Sequence, residues 1–114
     1  MARRGDVLRL KRRLGFGARG TTESFVVVQD NQLNQILPTT VAVPLDLATA
    51  VHDANPLAVA VSPAEAGDAA PHVAVASHPT TIPWDKFEPA VRGHLEPTTL
   101  AQLDAVLRVV LALP

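Results

Sequence analysis

A chain of 114 residues with 47% apolar and 18% charged content and a formal charge of −1 holds enough hydrophobic material for one folded domain across residues 1–114, and is not a disordered polyelectrolyte. It contains no cysteine, which excludes disulfides, thiolate metal centres and a thiol nucleophile. Aromatic residues are only 4%, so a bound nucleic acid would be held through its phosphates more than by base stacking.

In chain order, residues 6–10 (DVLRL) open as a strand, and residues 11–22 (KRRLGFGARGTT) are too polar and too rich in glycine to pack, so they read as a basic loop. Seven of the ten basic residues fall in the first nineteen positions: Arg3, Arg4, Arg9, Lys11, Arg12, Arg13 and Arg19. Residues 1–22 carry seven bases and one acid, whereas residues 23–114 carry three bases and ten acids. That asymmetry is the footprint of a surface for polyanions, although a solvated arginine-rich loop has the same composition. Residues 25–29 (FVVVQ) form a continuous apolar run of strand length, and residues 39–45 (TTVAVPL) alternate with β-branched side chains. Between them Asp30, Asn31, Gln32 and Asn34 are turn formers.

Residues 56–62 (PLAVAVS) and 72–76 (HVAVA) give two further strands, separated by a small-residue tract at 63–71 that suits a surface turn. Residues 83–87 (PWDKF) fit one helical turn. From 97 to 111, Leu100, Leu103, Val106, Leu107, Val110 and Leu111 recur at helical spacing, with Glu96 or Thr98 as N-cap. Five strands and a closing helix make a mainly β domain. No apolar run reaches membrane-span length, and the arginine-rich start leads into glycine and charge rather than a signal-peptide core, so a soluble, cytoplasmic chain is expected. The letters GFGARG at 15–20 lack the preceding strand, following helix and acidic residue of a dinucleotide site. No spacing of His, Asp or Glu suggests a metal, and no cofactor is expected.

Three strings carry a family resemblance: RRGDV at 3–7, FVVVQDNQLN at 25–34 and TVAVPL at 40–45. In this order and spacing they resemble the MazF/PemK toxins of type II toxin-antitoxin systems, and HVAVASHPTTIP and LEPTTLAQLDAVLRVVLAL continue the likeness. The resemblance implies a small, curled, SH3-like β-barrel with a C-terminal helix, a homodimer, and an acidic, MazE-like antitoxin occupying the active-site grooves. It also implies an mRNA interferase that cleaves single-stranded RNA without a metal.

Such cleavage uses the adjacent 2′-hydroxyl as nucleophile, so the protein must supply a base, a cation over the phosphate and an acid for the leaving oxygen. In the family an Arg at the start of the second strand and a Thr or Ser at the end of the third do much of this. Here those positions hold Glu23, followed by Ser24 where the family has Pro, and Asp46. A carboxylate cannot stabilise negative charge on phosphate. Val75 and Ser77 likewise stand where some members carry Arg and Asp. A rearranged site would draw its cation from Arg12, Arg13 or Arg19, with Glu23 as general base and His78 as general acid, while Arg9 and Lys11 add phosphate contacts. The alternatives are a nuclease-dead module that binds antitoxin or nucleic acid, and a poison of DNA gyrase, the target of the CcdB toxins that share the fold.

Overall fold

The computed structural model describes residues 2–12 and 24–113. Strand β1 (Asp6–Leu10) pairs antiparallel with β2 (Ser24–Val27), placing Val7 opposite Val26 and Arg9 opposite Ser24. The next strand, β3 (Thr39–Leu47), is the longest and runs antiparallel to β2, with Val26 opposite Val43 and Ser24 opposite Leu45. On its far side β3 takes two partners in succession, β5 (His72–Val75) along its second half and β6 (Thr80–Pro83) along its first. The ladder on that side is interrupted opposite Val43 and Pro44, where Pro44 has no N–H to donate.

Strand β4 (Ala58–Val61) flanks β5, and β7 (Phe87–His94) flanks β1, so the sheet runs β4-β5-β3-β2-β1-β7 with β6 joined to β3. Register shifts in the β1–β7 pair bend these strands, and the sheet curls into a partly open barrel.

Alternation along the strands divides the interior into two apolar clusters. Val7, Val26, Val43, Leu45, Val59, Val61 and Ala74 face one side and meet Leu95, Leu103 and Leu107. Leu8, Leu10, Phe25, Val27, Ala42, Ile82 and Phe87 face the other, with Phe25 and Phe87 edge to face at 6.4 Å. Helix α4 (Pro97–Val110) covers the first side, its Leu103 and Leu107 buried. This is the helix expected at 97–111, and Glu96 is its N-cap residue, but the Glu96 side chain makes no capping bond.

Among the described residues there are three short helices, two of them in segments where sequence patterning suggests turns. Asp30 caps α1 (Asn31–Ile36) by accepting from the Gln32 N–H. Within it Asn34 is buried, accepting at Oδ1 from Gln29 Nε2 and Thr40 Oγ1 and donating through Nδ2 to the Gln29 carbonyl, each at 2.9 Å. Helix α2 (Ala50–Asp53) follows β3 directly. The tract at 63–71 contains α3 (Pro63–Ala66), started by a capping box between Ser62 and Glu65 and ended by Gly67 at φ +67°. Strands β6 and β7 complete seven strands among the described residues where five were expected, and a 3-10 turn at Trp84–Lys86 matches the single turn foreseen at 83–87.

Glu65 links α3 to α4. Its Oε1 accepts from the Ser62 N–H and hydroxyl, and its Oε2 from the Glu96 N–H at 2.8 Å. Burial alone would push this carboxyl up, but the Glu96 and Ser62 N–H groups and the Thr99 and Ser62 hydroxyls outweigh it and hold it below the ordinary value of 4.5. The α3 backbone lies directly on β7: a Cβ at Gly67 would stand 1.8 Å from the Arg92 carbonyl oxygen, and one at Gly93 would stand 2.0 Å from that of Glu65. No helix among the described residues is long and apolar enough to cross a membrane.

Candidate functional site

The registers bring one end of three strands together. Because β1 and β3 both run antiparallel to β2, the C-terminal ends of β1 and β3 lie beside the start of β2, in the row Arg9, Ser24 and Leu45. One residue beyond Arg9 and Leu45 come Leu10 and Asp46, which alternation turns toward the second cluster. Lys11 and Arg12 then continue from β1 as exposed cations. The Lys11 N–H donates to the Lys86 carbonyl at 2.9 Å. This lysine borders an open cleft of about 390 Å³ formed with Leu8, Trp84, Phe87, Glu88 and Pro89.

Asp46, the carboxylate that stands where the family has a Thr or Ser, is only 3% exposed, and its Oδ2 lies 3.1 Å from His52 Nε2. The pair forms because α2 begins three residues after β3 and turns His52 back onto the strand end. Burying an unpaired carboxylate is costly, and the imidazole offsets that cost by donating to it.

The other expected residues are scattered. Arg9 is half-buried within β1. His78 is exposed in the β5–β6 connection, its Nδ1 3.0 Å from Ser77 Oγ and its carbonyl accepting from the Thr80 hydroxyl. Asp46 lies opposite Val73 near the start of β5, whereas His78 follows the end of that strand. Arg13, Arg19 and Glu23 lie outside the described residues. Among the described residues no three His, Asp or Glu side chains gather as a metal site would require.

Several charges of the amino-terminal segment serve the fold. Arg4 donates from Nε to the Val28 carbonyl and pairs with Asp104 on α4, while its N–H donates to Asn31 Oδ1. Asp6 is buried, accepting from the Arg3 N–H and meeting His94 Nδ1 at 2.6 Å. The polyanion footprint therefore overstates the cations free to meet a ligand.

The model of the PemK-like, MazF-like toxins of type II toxin-antitoxin systems matches residues 3–111. The chain belongs to this family. Its fold is similar to that of an endoribonuclease solved with its cognate antitoxin from a mycobacterial species, at 26% identity and a TM-score of 0.78, covering 100% of this chain and 98% of the other. A second mycobacterial endoribonuclease shares the fold at 23% identity and a TM-score of 0.74, covering 99% and 93%. MazF in a MazE–MazF complex from Deinococcus radiodurans does so at 18% identity and 0.73, covering 99% and 98%. No curated protein matches the sequence. Against this MazF-like framework, the residue most easily overlooked is His52, whose one sequence signal is its position six residues after Asp46.

Proposed function

We propose that this MazF-like chain is the toxin of a toxin-antitoxin pair, a cytoplasmic homodimer that cleaves single-stranded RNA without a metal until an acidic, MazE-like antitoxin binds it. The observation that carries this reading is the likeness along the full chain to an endoribonuclease solved in complex with its cognate antitoxin. The basic segment supports it, because Lys11 and Arg12 extend beyond the strand ends where Asp46 lies, and Arg13 and Arg19 follow in sequence. Guanidinium and ammonium groups there would neutralise the phosphate and its developing charge.

The test is cleavage of end-labelled single-stranded RNA in excess EDTA. Wild type is expected to cut, Arg19→Ala to cut more slowly, and Glu23→Arg to gain activity by restoring the cation of the family pattern. Intact RNA after prolonged incubation overturns the reading. The carboxylates at positions 23 and 46 favour a second reading, a module that binds antitoxin or RNA without turnover. It predicts salt-sensitive binding by a protein that leaves RNA uncut.

A further inference from the structure

We infer that His52 is the general base of this site and that Asp46 is its positioning partner, an inference that rests on the RNA-cleavage reading. Asp46 stands where the family resemblance places a hydroxyl, so the catalytic set needs another group that can move a proton. The fold brings one to the same strand end.

Because the Asp46 carboxylate accepts from Nε2, it holds the neutral ring in the tautomer with its proton on Nε2 and leaves the Nδ1 lone pair available. Nδ1 makes no hydrogen bond among the described residues, and the ring remains 13% exposed. Among the described residues, the titratable groups adjoining the pair in sequence or register are Asp53, which follows His52 on α2, and His72, which lies across from Leu47 on β5 and which alternation turns to the opposite face.

The other histidine–aspartate pairs among the described residues do not offer this arrangement. His72 lies 3.6 Å from Asp68, but its Nδ1 is already engaged with the Ala70 carbonyl. His94 meets Asp6 at the start of β1, at the opposite end of the sheet from Lys11 and Arg12.

In the step itself, the 2′-oxygen forms a bond to the adjacent phosphorus while its proton passes to His52 Nδ1. The bond from phosphorus to the 5′-oxygen breaks, and that oxygen takes a proton from solvent, giving a 2′,3′-cyclic phosphate and a 5′-hydroxyl end. The imidazolium formed is stabilised by Asp46 and later returns its proton to water.

The decisive comparison is His52→Gln, which keeps a donor for Asp46 but has no basic nitrogen. With labelled RNA across a pH series, His52→Gln is expected to lower kcat by about 10²- to 10⁴-fold with little change in KM, and to abolish the rise of rate with pH on the acid side. Asp46→Asn is expected to lower kcat at least about tenfold and to displace that limb. Nitrogen-15 shifts of His52 in wild type should report the Nε2–H tautomer, whatever the activity. Wild-type kcat and an unchanged acid limb in His52→Gln, or an Nδ1–H tautomer, would overturn the assignment while leaving RNA cleavage standing. Failure of wild type to cut RNA at any pH removes both.

Discussion

Replacing Glu65 with Gln tests how α3 and α4 are joined. The wild-type carboxylate accepts from the Ser62 N–H and hydroxyl on one oxygen and from the Glu96 N–H, at 2.8 Å, on the other. A Gln side chain keeps one acceptor oxygen and presents an NH₂ group to the second donor, so one charge-assisted bond is lost and an N–H is left facing another donor. A hydrogen bond to a charged group contributes about 1.5–3 kcal/mol, which puts the loss near 2 kcal/mol, or roughly 8 °C in Tm for a domain of this size. The pH dependence separates this from a packing defect. Because the folded carboxyl titrates below 4.5, its contribution is complete above the unfolded value and disappears as pH falls through the folded one. Urea unfolding of both proteins from pH 7 into the acid range should therefore show a gap that narrows below pH 4.5. A gap of constant size, or none at pH 7, would refute the reasoning.

Three further outcomes follow from the same geometry. Gly93→Ala and Gly67→Ala force a Cβ against backbone oxygens at 2.0 and 1.8 Å, so each should cost at least about 3 kcal/mol by overpacking and separate α3 from β7, measured by denaturant titration. Asn34→Ala leaves Gln29 Nε2 and the Thr40 hydroxyl without their shared acceptor and should cost about 2–3 kcal/mol in the same assay, whereas Gln35→Ala, on the exposed side of α1, should cost under about 0.5 kcal/mol. If RNA is bound, Lys11→Ala and Arg12→Ala should each reduce the slope of log affinity against log salt by about one, because each removes one phosphate contact; an unchanged slope in both would take them out of the interface.

What the sequence made legible was whatever obeys a simple period. Strand β1 coincides with the expected 6–10, β3 extends the expected 39–45 by two residues, and α4 ends one residue before the expected 111. The helix stripe is only partly buried: Leu103 and Leu107 are covered, but Leu111 is 53% exposed. Strand β7 escaped notice because FEPAVRGH has Pro and Gly inside it and mostly exposed side chains, a pattern tolerated at an edge where one side of the ladder needs no donors. Strand β6 buries only Ile82. Helix α1 hides behind a polar run whose buried residue is Asn34, the reverse of an amphipathic signal.

At the candidate site, the departure at Asp46 could be read from the chain, but its partner could not. His52 reaches Asp46 through a four-residue helix, too short to leave a periodicity, and a single histidine carries no pattern. His78 drew attention because it follows a strand, yet strand ends at opposite limits of a ladder need not meet.

The double pairing of β3 bears on how this chain can accept insertions. Residues 54–57 and 76–79 lie outside the ladders and after the turn that carries His52, so an added residue there would lengthen a connection and leave both faces of the sheet intact. One added within β3 would invert every side chain after it, swinging Asp46 away from His52, and an addition before Thr40 would also draw its hydroxyl off Asn34. Length variation among natural homologues should therefore collect in those two connections and spare the nine-residue strand between the polar hub and the strand-end pair.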